Sequence, residues 1–144
     1  MPTVPNNAID LAISFEGFYA KAYICPAGFA TQGYGHLVKS LNVPPITKEQ
    51  GEIWLAQDLQ TALKGTLQVC PVLAFVEENW LGVIVDFTFN LGVGRLRAST
   101  LRRKINAEEW DDVPTELRKW VYGGGRKLKG LVLRREAEAL FFGG

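Results

Sequence analysis

The chain has 144 residues, 47% apolar and 22% charged, which suits one globular domain and lies well away from the disordered and membrane-spanning classes. A net charge of +1 hides a gradient, because residues 1–90 carry four Lys/Arg against eight Asp/Glu while residues 91–135 carry twelve against five. Two cysteines, Cys25 and Cys70, are too few for a disulfide-dense secreted scaffold, and reduced thiols are the default.

The first fifteen residues, MPTVPNNAIDLAISF, show no basic start and no apolar run long enough for a signal peptide or membrane anchor. A cytoplasmic start is therefore expected. Asn6 or Asn7 is the expected cap of a first helix whose apolar positions Ile9, Leu11, Ala12, Phe15 and Phe18 fall mostly on one face, with Gly17 at its end. Glu16 then lies in the last turn. From Tyr19 to Pro45, aromatic and β-branched residues broken by Gly28, Gly33, Gly35 and Pro44-Pro45 predict short strands and tight turns, a small β-containing lobe over about 19–46.

Thr47 followed by Gln50 is a capping-box pattern, and Ile53, Trp54, Leu55, Leu59, Ala62 and Leu63 recur at helical spacing. This predicts a connecting helix over about 47–64. The run from Trp80 to Leu91 is apolar nearly all round, as a buried central helix would be, and opens a helical lobe over about 71–142. Ser99 or Thr100 starts a short helix through Ile105, and Pro114 suits the first turn of one running on to Trp120. Gly123-Gly124-Gly125 is a breaker. In the closing LVLRREAEALFF, leucines and aromatics supply an apolar stripe, and Arg134, Arg135, Glu136 and Glu138 a polar one. Residues 1–144 thus read as one domain, with no repeats and no separate second domain.

A glycosidic bond is cleaved when an acid protonates the leaving oxygen while a group on the other side readies a water. Glu16 fits the acid. The negative end of the helix dipole and the neighbours Phe15 and Phe18 favour its neutral form, while a nearby arginine, with Arg134 and Arg135 the candidates, would pull the other way. Taken alone, Glu16 could simply end an amphipathic helix. Thr31 opens TQGYGH, where Gly33 and Gly35 permit close backbone approach, so its hydroxyl could face a bound water or serve as an ordinary strand Thr.

The run SFEGFYAKAYICPAGFATQGYGH resembles the active-site segment of the phage-type lysozymes, endolysins of a glycoside hydrolase family that cuts bacterial cell-wall glycan. In that family a Glu, an Asp or Cys nine residues later and a Thr six residues further on form the catalytic group. The matching residues are Glu16, Cys25 and Thr31. The resemblance continues through FNLGVG at 89–94, STLRRKIN at 99–106, WVYGGG at 120–125 and LRREAEALF at 133–141, and so covers essentially the whole chain.

It implies an α+β lysozyme-like fold with a glycan cleft between a small β-containing lobe and a larger helical one. It also implies hydrolysis of the β-1,4 bond between N-acetylmuramic acid and N-acetylglucosamine in peptidoglycan, without a cofactor or metal. Asn90 matches a position where the family has an amide in the cleft, which implies contact with an N-acetyl sugar; a helix-end role beside Gly92 is compatible with that. His36, the sole histidine, is expected to brace the β-lobe. Where the family usually has an apolar residue and a Thr, this chain has Gln32 and Leu37. The Cys25 thiol is a poorer base at neutral pH than Asp unless its pKa is lowered.

Other classes fit less well. A Cys25/His36 endopeptidase would want its thiol at a helix N-terminus, whereas Pro26-Ala27-Gly28 reads as a turn. One His and two scattered Cys do not make a zinc amidase. A wall-binding module without catalysis would not need the Glu/Cys/Thr group, and no nucleic-acid motif accompanies the basic half. The basic half could still touch an anionic wall or outer-membrane surface, or be a set of solvated helix faces. The partner implied is a peptidoglycan strand, met by a monomer released from the host cytoplasm to the wall through a pore made by another protein.

Overall fold

The computed structural model describes residues 2–143. Helix α1 spans Asn6–Glu16, but neither asparagine caps it through its side chain. Pro5 takes the cap position, and its carbonyl accepts from Ala8 N at 3.0 Å. Asn7 is instead drawn into the helix interface, buried, with Nδ2 donating to Asn79 O at 2.8 Å. Gly17 ends the helix at φ 67°, a conformation that glycine adopts at little cost.

Strands β1 (Tyr19–Ile24), β2 (Ala30–Gly33) and β3 (His36–Leu37) form an antiparallel sheet in that order. Tyr23 pairs with Thr31 and Ile24 with Ala30, and an irregularity between Tyr19 and Tyr23 bends β1. Gln32 is fully buried in the middle strand where an apolar residue would be usual. Its Nε2 donates to Ala20 O at 2.9 Å and Pro44 O at 2.8 Å, so the amide ties β1 to the loop after the sheet instead of standing unsatisfied.

Thr47 caps α2 (Lys48–Val69), its Oγ1 accepting from Gln50 N at 3.1 Å. The helix runs past the expected stop near residue 64, because Thr66 and Val69 prolong its buried face and Gly65 lets the next helices approach. It reaches about 33 Å in length. After a 3₁₀ turn at Pro71–Phe75 comes α3 (Glu78–Leu91), whose Val83, Ile84, Val85 and Phe87 are inaccessible to solvent. Helices α4 (Val93–Arg97), α5 (Thr100–Asn106, capped by Ser99) and α6 (Val113–Leu117, with Pro114 in its first turn) complete this side. Helix α6 stops short of Trp120.

The three glycines are not a simple break. Gly123 lies in β4 (Tyr122–Gly123), which pairs with β5 (Arg126–Lys127), and Gly124 and Gly125 make the turn at φ 60° and 82°. Helix α7 (Lys129–Leu140) then departs most from expectation. Arg134, Arg135 and Glu138 are buried, while Leu133 and Leu140 are exposed. Three of the four polar-stripe residues face inward, where Arg134 meets Asp86 and Glu16 and Arg135 meets Glu138 and Asn90, while Glu136 stays exposed.

The closest approach of α1 to α3 is set by Gly82. A Cβ there would lie 1.7 Å from Asn7 Oδ1. Helix propensity alone favours Gly82→Ala by about 1 kcal/mol. The displaced Asn7 would nevertheless lose its bond to Asn79, so the net effect should be a loss of about 1–3 kcal/mol. Adding Asn7→Ala should recover much of that loss. Urea unfolding of both single variants and the double variant measures the coupling, and strict additivity would refute the steric account.

Candidate active site

Glu16 closes α1 with its carboxyl against the β2–β3 turn and α7. Arg134 Nη1 donates to Glu16 Oε2 at 2.6 Å, and the two side chains are 4% and 18% exposed. The rest of the same guanidinium grips Asp86 on α3, with Nε to Oδ2 at 3.0 Å and Nη2 to Oδ1 at 2.6 Å. Phe15 and Phe89 flank it at 5.6 and 5.8 Å. Of the two candidate arginines, Arg134 is the one beside Glu16, and Arg135 is not. Arg135 binds Asn90 Oδ1 at 2.7 Å and Glu138 Oε2 at 2.9 Å.

Burial alone would push Arg134 down, but Asp86 and then Glu16 reverse that and raise it well above its ordinary value. Burial pushes Asp86 up, yet Arg134 and a hydrogen bond with Glu138 outweigh it and hold Asp86 down. Glu138 goes the other way. Its burial, its hydrogen bond with Asp86 and the Asp86 charge raise it well above the usual carboxyl range despite Arg135. Two carboxyls in one buried cluster ionise less readily together than apart, which is why their shifts run in opposite directions.

Cys25 follows β1, at a turn closed by Cys25 N to Phe29 O at 2.9 Å and Gly28 N to Cys25 O at 2.8 Å. Partial burial pushes its thiol up. Backbone N–H groups of Phe29 and Ala27, the Thr31 hydroxyl and the Gly28 N–H overcome that, and the net shift is downward. The structure thus brings Cys25 and Thr31 together. Thr31 is buried with Oγ1 2.9 Å from Phe29 O, and its single proton serves either that carbonyl or the sulfur. Burial, and then the charges of Glu16, Tyr19 and Cys25, push nearby Tyr23 up to about 12, which keeps its phenol protonated between the two groups. Cys70 differs from Cys25, since burial raises it to about 11 and only Arg102 opposes.

His36 Nδ1 lies 2.8 Å from Asp58 Oδ2, and its ring stacks on Trp54 at 4.3 Å, so it fastens β3 to α2. Gly35, His36 and Leu37 on one side and Asp58, Thr88 and Phe89 on the other line a cleft between the sheet and the helices. Glu16, Cys25, Thr31 and Asn90 are not among the residues lining this cleft, which Glu16 meets only through its neighbour Gly35, and the side-chain oxygen of Asn90 is held by Arg135. Among the described residues, no group of three or more His, Cys, Asp or Glu side chains is placed to hold a metal ion. Sequence reasoning missed Asp86, Glu138 and Tyr23 as parts of the site. A lone acid inside the apolar run WLGVIVDFTFNL was the available signal, because such a charge must find a buried partner.

The fold is α+β and lysozyme-like. Residues 13–138 match the Phage lysozyme family. The chain is 37% identical over 146 residues to an endolysin of Acyrthosiphon pisum secondary endosymbiont phage 1, covering 96% of this chain and 97% of that one. It is 34% identical over 142 residues to an endolysin of Bacillus phage B103, covering 96% of this chain but 53% of that protein, so it spans about half of that relative's length. The structure of an endolysin from Escherichia coli O157:H7 phage FAHEc1 superimposes with a TM-score of 0.80 at 26% identity, over 98% of this chain and 93% of that one. The chain belongs to the phage lysozyme family, a family of glycoside hydrolases.

Two outcomes follow from this geometry. A Cβ on Gly35, which sits at φ 76°, would lie 2.6 Å from Glu16 Oε1. Gly35→Ala should lower glycan cleavage by roughly 100-fold through displacement of that carboxyl, and wild-type turnover would rule out the contact. Native Glu138 also holds its proton to higher pH than the unfolded chain does. The stability it contributes is complete below about pH 4 and is lost as pH rises through the native value. Thermal unfolding should therefore show wild type losing ground to Glu138→Gln as pH rises above about 4; parallel curves would contradict a raised native value.

Proposed function

We propose that the protein is an endolysin that hydrolyses the β-1,4 bond between N-acetylmuramic acid and N-acetylglucosamine in bacterial peptidoglycan. Glu16 is the general acid, and Cys25 with Thr31 positions the attacking water. The observation that carries this reading is the Cys25–Thr31 pair, set by the β1–β2 register with its thiol shifted toward the ionised form, near a separate carboxyl on α1. Arg134 holds Glu16 Oε2, which leaves Oε1, on the Gly35 side, to carry the proton. In the reaction that proton passes to the leaving oxygen, the glycosidic C–O bond breaks, and water adds from the other face as its own proton passes toward Cys25 and Thr31.

The partner is a glycan strand, and the protein acts as a monomer. Asn90 is proposed to contact an N-acetyl group through its amide nitrogen, since its oxygen is engaged with Arg135. Electrostatic contact with an anionic wall falls to exposed cations such as Arg95, Arg97 and Arg103. Burial of Arg134 and Arg135, and pairing of Lys104 and Lys119 with nearby acids, removes part of the basic excess read from the sequence. In this reading the protein reaches the wall from the host cytoplasm through a pore made by another protein; no helix among the described residues is long and apolar enough to cross a membrane.

Glu16→Gln should keep the fold and lose about 10²–10⁴-fold in rate on purified sacculi, because the amide cannot donate the required proton. Cys25→Asp should stay active and Cys25→Ala should be impaired. Nuclear magnetic resonance of fresh product should show the α-anomer first. A β-anomer, or a glycosyl–sulfur adduct, would make Cys25 a nucleophile and overturn the water-positioning role. An anhydro-sugar in the mass spectrum would replace hydrolysis by transglycosylation.

A further inference from the structure

Residues set directly opposite one another in an antiparallel sheet project to the same face, with Cβ atoms about 4.5–5.5 Å apart. Tyr23 on β1 lies opposite Thr31 on β2, and Thr31 lies opposite Leu37 on β3. Leu37 lines the cleft, so this row carries one face of the sheet on from the cleft, by two strand spacings or roughly 10 Å, to the strand that leads into the Cys25 turn. Ile24 and Ala30 form the next pair and project to the other face.

Tyr23 is the member of that row nearest the Cys25 turn, and the proposed reaction leaves it idle. Its half-buried ring rests against Tyr19, with centroids 4.3 Å apart, which fixes where its oxygen points. Among the described residues that hydroxyl has no hydrogen-bond partner. A phenylalanine would fill the same space against Tyr19, so the oxygen gains something only when a polar group from outside the chain meets it. Burial and the charges of Glu16, Tyr19 and Cys25 keep its proton in place, so it meets that group as a donor. We propose that Tyr23 is a further substrate-binding residue, whose hydroxyl donates a hydrogen bond to an oxygen of the glycan as the strand passes from Leu37 over Thr31 toward Cys25. The sugar it holds is the one beside the water that Cys25 and Thr31 position.

The inference rests on the glycan reading, and its test separates binding from cutting. Soluble peptidoglycan fragments are titrated into Glu16→Gln, which should bind them without cleavage, and into Glu16→Gln with Tyr23→Phe, which keeps the ring and removes only the hydroxyl. The dissociation constant should rise roughly 2–10-fold in the double variant, as for one hydrogen bond to an uncharged acceptor. With Glu16 intact, Tyr23→Phe should raise KM by the same factor, the loss falling on KM and not on kcat. A second measurement needs no change at Tyr23: in Glu16→Gln labelled with ¹³Cζ-tyrosine, the Tyr23 signal, identified through its contact with the Tyr19 ring, should shift as the fragments bind. An unchanged dissociation constant in folded Tyr23→Phe protein, or a Tyr23 signal that stays in place at saturation, would overturn the proposal. Cleavage by Glu16→Gln would instead end the acid role of Glu16, and the KM of Tyr23→Phe alone would then decide the contact. Fragments that do not bind Glu16→Gln at all would remove the glycan reading and the contact together.

Discussion

One guanidinium holds the two ends of this molecule together. Arg134 comes from the last helix, Asp86 from the central one and Glu16 from the end of the first, and three hydrogen bonds of 2.6–3.0 Å join them almost out of reach of water. A buried cation costs several kcal/mol in lost hydration unless paired, and removing one member of such a pair typically costs about 3–5 kcal/mol. The network therefore constrains the packing of α1, α3 and α7 more than it adds net stability. An apolar trio of equal volume could be as stable. It would not place a carboxyl against Gly35 of the β2–β3 turn.

The same constraint explains where the sequence was readable and where it was not. The Thr47 cap, the apolar run through Val83 and Phe87 and the glycine stop at Gly17 are local signals, and each element formed where its signal stood. Helix α7 defeated the same reasoning. Its Arg134, Arg135 and Glu138 look like a solvated face until Asp86, about fifty positions away, supplies a reason to bury them. Leucines 133 and 140 consequently turn outward. Periodicity locates the helix but cannot say which stripe is inside when both stripes have partners. The β4–β5 hairpin escaped for a smaller reason, since strands of two residues carry no alternation to detect.

Within the candidate site, Glu16, Cys25 and Thr31 were singled out by the resemblance of their segment to the phage-type lysozymes. Their surroundings were not equally visible. The hydrogen bonds that lower the Cys25 thiol all come from within six residues of it: the N–H groups of Ala27, Gly28 and Phe29, and the Thr31 hydroxyl. What acts on Glu16 comes from Arg134, 118 positions later, and through it from Asp86. The first environment is written into a turn, whereas the second exists only after the whole helical lobe has closed.

This division bears on which of the two positions can accept a different chemical group. Backbone N–H groups stabilise any anion held at their focus, whether sulfur or oxygen, because they act through fixed dipoles and not through a matched ion pair. A turn of that kind does not require its occupant to have one particular shape. Arg134 makes the opposite demand, since a planar guanidinium already forked onto Asp86 leaves Nη1 for one oxygen at one distance, and a shorter carboxyl at position 16 would not reach it. The position fixed by a local nest is thus the one whose chemistry can vary. The position fixed by the long-range arginine network is the one whose residue type is pinned.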